Sequence, residues 1–147
     1  MTEIRVKLRR LRPGAIVPQY HSPGAAAFDL HACLDEPLTI APGATAMVPT
    51  GIALHLADAD YGLCLWPRSG MDAVKCIGLG AGLVDSDYQG ELNAVLINRN
   101  SHPFVVNHGD RICQGVVQPV LRAQFEEVED FDLNTVRGTN GFGSTGT

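Results

Sequence analysis

The sequence predicts an all-β domain, a sandwich or barrel carrying one short helix. Three observations predict it. Turn residues are dense, with 16 Gly and 9 Pro in 147 positions, and they recur about every eight to twelve residues, the rhythm of short strands. Helix signals are scarce. The chain is 45% hydrophobic, enough for one domain with a real core and too short for two comfortable ones.

The strands are expected in the following order. Ile4 to Leu8 alternates apolar and basic side chains, the period of a half-buried strand. Arg5, Arg9, Arg10 and Arg12 form a basic run around it, read as the solvated face of that strand. Ala26 to His31, Ala44 to Val48, Gly51 to Leu56 and Gly62 to Trp66 follow. The one helix start lies after Ser69, and the helix is short. Leu92 to Asn98 contains Ala94-Val95-Leu96-Ile97, apolar on both faces, which suits a strand covered on both sides. Phe104 to Val106 and Ile112 to Val120 complete the set. No internal repeat or linker is visible.

Charge and cysteines narrow the function. The net charge of -5 argues against a broad nucleic-acid surface, which needs clustered Lys and Arg. Lys7 and Lys75 are the only lysines, so an anionic ligand has to be held by arginines, backbone amides and a metal. Cys33, Cys64, Cys76 and Cys113 have no zinc-knuckle spacing and lie in apolar or strand-like stretches, the pattern of buried reduced thiols. The N-terminus lacks the apolar core of a signal peptide, and no run approaches the roughly 20 apolar residues that cross a bilayer. A cytoplasmic protein without membrane contact is expected.

Five segments carry the chemistry. Ala26-Ala27-Phe28-Asp29-Leu30 puts one carboxylate among apolar neighbours, a costly burial unless the charge is paired or faces a hydrated metal. In Trp66-Pro67-Arg68-Ser69-Gly70, Pro67 ends a strand, Ser69 is placed to cap a helix whose amides face an anion, and Arg68 offers a planar fork for phosphate. Gly80 to Glu91 runs from apolar residues into an acidic turn with Asp85, Asp87 and Tyr88, then back into Leu92 to Asn98: a hairpin with an exposed acidic tip, or an ordinary charged turn. It is no calcium loop, because Leu96 stands where the twelfth-position glutamate belongs. Gly109 to Gln114 turns a loop into a strand and leaves Gln114 as a neutral donor. From Arg137 onward, four glycines and several hydroxyls surround Phe142. A frayed tail fits, and so does an arm that stacks Phe142 on a base and grips phosphate with Arg137, Ser144 and Thr145.

Taken in order, these segments resemble the five motifs of the trimeric dUTPase family, the deoxyuridine triphosphate nucleotidohydrolases, over roughly residues 25–145. The resemblance implies a distorted β jelly-roll barrel over residues 1–136, a flexible glycine-rich arm over 137–147 that closes over the site, and a homotrimer whose three sites draw on neighbouring subunits. It implies hydrolysis of dUTP to dUMP and diphosphate with Mg2+, by water attack at the α-phosphorus, which limits uracil in DNA and supplies dUMP for dTMP synthesis. Carried over, Asp85 resembles the general base and Tyr88 the ring against the deoxyribose. Gly82, Leu83 and Val84 resemble the backbone that reads uracil, and Asn93 a nucleotide contact on the returning strand. Asp29 resembles the carboxylate that reaches magnesium through water, the metal being held mainly by the triphosphate. Arg68, Ser69, Gly70 and Gln114 resemble the phosphate clamp. Arg137, Phe142, Gly143, Ser144 and Thr145 resemble the arm, with Phe142 on the uracil.

Two positions depart from the pattern. Ala27 replaces a glycine beside the first-motif aromatic. Leu79 stands where some bacterial members carry an asparagine, which leaves uracil to backbone groups. Two other functions compete. A dCTP deaminase shares the fold, but its relatives carry a glutamate about where Val95 stands here. A non-catalytic nucleotide-binding protein would have lost the aspartate or the arm.

Overall fold

The computed structural model describes residues 3–131 together with 135 and 138. Among these, eleven strands and one short helix follow in chain order. The strands are β1 (Val6–Arg10), β2 (Phe28–His31), β3 (Leu38–Ile40), β4 (Thr45–Pro49), β5 (Ile52–Leu56), β6 (Tyr61–Trp66), β7 (Ile77–Leu79), β8 (Leu83–Val84), β9 (Asn93–Asn98), β10 (Phe104–Val106) and β11 (Arg111–Pro119). The helix, Gly70–Val74, lies between β6 and β7. All strand pairs are antiparallel. They form two ribbons, β1-β5 and β10-β3, a three-stranded sheet β4-β9-β7, and a four-stranded sheet β2-β11-β6-β8. No closed ring of strands forms among the described residues.

Every expected strand is present, its ends displaced by no more than two residues. β3, β7 and β8 were not foreseen. They span two or three residues each, too short to show a period; β10 is as short, but its three residues are all apolar and were read as a strand. β1 buries part of Val6 and Leu8 and exposes Lys7, Arg9 and Arg10, as alternation demands. Arg12 departs from that reading: it lies beyond the strand and its guanidinium grips Glu91.

One apolar cluster fills the interior, with Leu30, Ile40, Val48, Ile52, Leu63, Leu96 and Ile112 essentially inaccessible. Asn98 is also fully buried. Its amide donates to the carbonyls of Ile40 and His102, both at 2.9 Å, and its Oδ1 accepts from the Asn100 amide. A buried polar group persists when its bonds are met in this way. Gly115 lets β2 lie flat on β11, because a Cβ there would sit 2.5 Å from the Phe28 ring. Tyr20 meets the same ring edge-on at 5.7 Å. No helix among the described residues is long and apolar enough to cross a membrane.

The expected short helix after Ser69 is present, and two local expectations are corrected: Ser69 as its cap and Cys76 as a buried thiol. The helix is a single wide turn, closed by Lys75 N–H donating to the Gly70 carbonyl, five residues back. Ser69 is itself helical (φ -53, ψ -41) and its hydroxyl caps nothing. The chain leaves the turn through Cys76, whose φ of 53 is left-handed and whose side chain is exposed. Cys33 and Cys113 are buried as expected and Cys64 is half-buried, all as free thiols.

Candidate active site

The acidic segment is built on two sheets. At its base β7 and β9 form a hairpin (Ile77↔Asn98, Leu79↔Leu96), and the Gly80 amide still donates to Val95 at 2.7 Å. The chain then leaves β9. β8 crosses to β6 instead, with Leu63↔Val84, Cys64↔Leu83 and Leu65 N–H donating to the Gly82 carbonyl at 2.6 Å. The expected simple hairpin is therefore corrected: its tip belongs to the neighbouring sheet. Gly82 is required by that crossing, because a Cβ there would lie 2.5 Å from the Leu65 carbonyl oxygen. β8 is the edge strand of its sheet, so its outer backbone groups face no partner strand.

This crossing opens a cleft of about 280 Å³ lined by Gly82, Leu83, Val84, Asp85, Tyr88 and Asn93 over a floor that includes Leu65 and Leu92. All six rim residues were expected at the site. Asp85 is exposed, and its carbonyl accepts the Tyr88 amide at 3.2 Å, closing the turn. Tyr88 Oη donates to the Glu91 carbonyl at 3.1 Å, and Asn93 Nδ2 donates to the same oxygen at 3.0 Å. Glu91 was not foreseen. Its carboxylate takes Arg12 Nε at 2.7 Å, Arg12 Nη2 at 3.1 Å and the Gly51 amide at 2.8 Å. The Arg12 hydrogen bond, with the Gly51 amide adding to it, holds that carboxyl below the ordinary glutamate range. Partners 79 residues apart leave no local signal.

A second cluster gathers at β2, β11 and the end of β6. Asp29 is buried, and its carboxylate is surrounded by donors: Arg68 Nε at 2.8 Å on Oδ1, then His21 Nε2 at 3.0 Å and Arg111 Nη1 at 3.3 Å on Oδ2. The paired-charge alternative raised by the sequence is thus realised. Gln114 lies opposite both Asp29 and Trp66 in register, and its Nε2 donates to the Pro67 carbonyl at 2.9 Å. That bond ties down the turn carrying Arg68, Ser69 and Gly70 and leaves one amide hydrogen free. Beside it a cleft of about 260 Å³ is lined by Arg68, Gly70, Lys75, Phe104, Asp110 and Arg111. Arg68, Lys75 and Arg111 outnumber the two carboxylates near them, Asp110 and the Asp29 that pairs with both arginines, which leaves an excess of positive charge suited to an anion. Lys75 also sits 5.8 Å over the Phe104 ring. Burial pushes the pKa of neighbouring His31 down, which favours its neutral form. His21, Lys75 and Arg111 were not singled out. Arg111 lies inside the flagged Gly109–Gln114 segment, so proximity to Gln114 was an available signal.

The two clefts have no lining residue in common. Arg137, Phe142, Gly143, Ser144 and Thr145 lie outside the described residues. No group of three or more His, Cys, Asp or Glu side chains suited to a metal occurs among the described residues. Magnesium keeps several waters and takes few protein ligands when phosphates are present. Asp29 fits that mode only. Three of its roughly four lone-pair sites are taken, which leaves Oδ1 able to accept from a metal-bound water.

Comparison with known proteins completes the picture. The family profile described as dUTPase matches residues 14–146. A Neisseria meningitidis protein named deoxyuridine 5'-triphosphate nucleotidohydrolase is 48% identical over 146 residues, spanning 98% of this chain and 97% of its own length. Among solved structures, a point mutant of the Staphylococcus bacteriophage 80alpha dUTPase with dUpNHpp superposes with a TM-score of 0.86 at 21% identity, covering 97% of this chain and 99% of that one. A point mutant of the dUTPase from phage phi11 of S. aureus, whose structure is described as revealing the coordination of a structural Mg(II) ion, does so at 0.79 and 20% identity, covering 88% and 99%. These matches run almost the full length of the chain, and the chain belongs to the dUTPase family.

Proposed function

We propose that this chain hydrolyses dUTP to dUMP and diphosphate, with Asp85 as the base that orients and deprotonates the attacking water. The observation that carries the reading is an exposed carboxylate, Asp85, on a cleft that also presents the edge strand β8, Tyr88, Asn93 and apolar residues such as Leu65 and Leu92, while the other acidic residue of the lining, Glu91, is engaged by Arg12. A nucleoside fits such a surface. The open edge of β8 offers backbone donors and acceptors to uracil, and Tyr88 offers its ring to the sugar. A 2′-hydroxyl pressed against that ring would lose water without gaining a partner, at a cost of about 1–3 kcal/mol. Thymine adds a methyl to a tight pocket, at a similar cost of about 1–3 kcal/mol.

A carboxylate is a weak base, and positioned general bases supply only about 10²- to 10⁴-fold. Most of the acceleration therefore falls to groups that fix the triphosphate for in-line attack. Arg68, Ser69, Gly70 and Gln114 act as that clamp: Asp29 orients Arg68 through Nε, which leaves its terminal nitrogens for phosphate oxygens. Asp29 would hold a magnesium ion through a water when the metal is bound with the triphosphate, and the ion would supply charge neutralisation at the phosphates. The 137–147 arm closes over the bound nucleotide, with Arg137, Gly143, Ser144 and Thr145 on phosphate and Phe142 on uracil.

The protomer is a distorted jelly roll, as its antiparallel sheets and its likeness to dUTPase structures favour, and it acts as a homotrimer. Two observations support the assembly. Nucleoside-type and phosphate-type residues occupy separate clefts in one chain. The segment after β11 leaves Leu121 and Phe125 96% and 94% exposed, apolar surface that a partner subunit would cover. The expected compartment is the cytoplasm. Replacing Asp85 by asparagine tests the mechanism: diphosphate release from dUTP falls about 10²- to 10⁴-fold, and unimpaired release by Asp85→Asn overturns it.

A further inference from the structure

We infer that the Arg12–Glu91 pair is a positioning device for deoxyribose selectivity, acting through Tyr88 and Asn93. The inference rests on the reading of Tyr88 as the ring that packs against the sugar. The main-chain oxygen of Glu91 is the hub. A carbonyl oxygen has two lone pairs, and here both are spent on cleft side chains: Tyr88 Oη at 3.1 Å and Asn93 Nδ2 at 3.0 Å. Wherever that oxygen moves, the ring and the amide follow.

The oxygen is fixed from behind. The Glu91 carboxylate takes three donors, two from Arg12 and one from the Gly51 amide. Arg12 therefore reaches from the N-terminal segment to the cleft wall. Gly51 itself has little freedom: its φ is 69, and a Cβ would meet Ala15 at 2.7 Å and Cys33 Sγ at 3.0 Å. Leu92 adds bonds to the same turn, its amide donating to Ile52 at 2.8 Å and its carbonyl accepting from Thr50 Oγ1 at 2.7 Å. Gly90 completes the arrangement, because any Cβ there would collide with the Tyr88 phenol folded over it.

Selectivity against a 2′-hydroxyl depends on a rigid ring. A ring free to tilt admits the hydroxyl or a water beside it, and the ribonucleotide gains while the deoxynucleotide loses fit. Glu91 is thus a positioning residue that touches no reacting atom, and its loss acts on binding and discrimination more than on turnover.

The test compares kcat and KM for dUTP and UTP in the full chain and in Glu91→Ala, Glu91→Gln, Arg12→Ala and Tyr88→Ala, with thermal midpoints as the folding control. For Glu91→Ala the ratio of kcat/KM for dUTP over UTP falls about tenfold and KM for dUTP rises about tenfold, while kcat stays within about threefold. Arg12→Ala, an exposed change, shifts the ratio in the same direction and keeps the inference testable should Glu91→Ala not fold. Glu91→Gln, which retains an acceptor for Gly51 and Arg12, recovers most of the selectivity. If Tyr88→Ala lowers the ratio while Glu91→Ala and Arg12→Ala leave it unchanged, the bonds of Leu92 suffice and the inference is overturned, with the role of Tyr88 standing. If Tyr88→Ala also leaves it unchanged, the sugar-reading role fails first and takes the inference with it.

Discussion

The environment of a single side chain decides its chemistry here more than its type does. Four cysteines look alike in sequence, yet the fold separates them. Burial pushes the Cys113 thiol up to about 12 and raises that of Cys33 as well. Thiol chemistry runs through the thiolate, so both stay protonated and inert at pH 8. Cys76 is exposed at the left-handed end of the helical turn. Titration with a chromogenic disulfide at pH 8 therefore shows Cys76 reacting fastest, half-buried Cys64 more slowly, and Cys113 only once denaturant is added. If Cys76→Ser leaves the fastest phase in place, this assignment is wrong. Asp29 makes the complementary point. Its need for a partner was legible from its apolar neighbours, whereas two of the three partners, Arg68 and Arg111, are brought near by folding from 39 and 82 residues away.

At the scale of elements, every strand of five or more residues, β1, β4, β5, β6, β9 and β11, was legible, and so were the shorter β2 and β10. β3, β7 and β8, two or three residues each, were not, and with them went the crossing of β8 onto β6 that shapes the cleft beside Asp85. Six residues named from the sequence, Gly82 to Asp85 with Tyr88 and Asn93, do line that cleft together, five of them from the contiguous acidic segment, whereas Met47 and Leu65 join it from other strands. What the sequence hid was the support. Arg12, Gly51 and Glu91 join the N-terminal segment, the β4–β5 turn and the acidic turn through pairings with no local pattern. The same support carries a pH signature. Arg12 and the Gly51 amide hold the folded Glu91 carboxyl below its ordinary value of 4.5. A depressed carboxyl stabilises the fold fully above the unfolded value and loses that contribution as pH falls through the folded one. Urea unfolding at pH 7 thus finds Glu91→Gln less stable than the parent, and the difference closes as the pH is lowered past about 4. A gap that stays constant from pH 7 to pH 3 would show that the charge on Glu91 contributes nothing.

At the scale of the whole molecule, the separation of the two clefts becomes a prediction about assembly. One chain presents Asp85 with Tyr88 and Asn93 in one place and Arg68 with Asp29 and Gln114 in another, with no lining residue shared between the clefts. A triphosphate needs both at once. If each working site pairs the nucleoside cleft of one subunit with the phosphate cleft of its neighbour, two inactive variants complement each other. Asp85→Asn spoils only the first half-site of its chain, and Arg68→Ala only the second. In a mixed trimer of either composition, one of the three sites joins an intact nucleoside half to an intact phosphate half, so activity returns to about a third of the parent level. If both halves belong to the same chain, every site in the mixture carries one lesion and no activity returns. Coexpressing the two variants, isolating mixed trimers by differential tags and measuring diphosphate release from dUTP separates these outcomes. A mixed trimer as inactive as either variant alone would require the two clefts of a single chain to serve the same nucleotide.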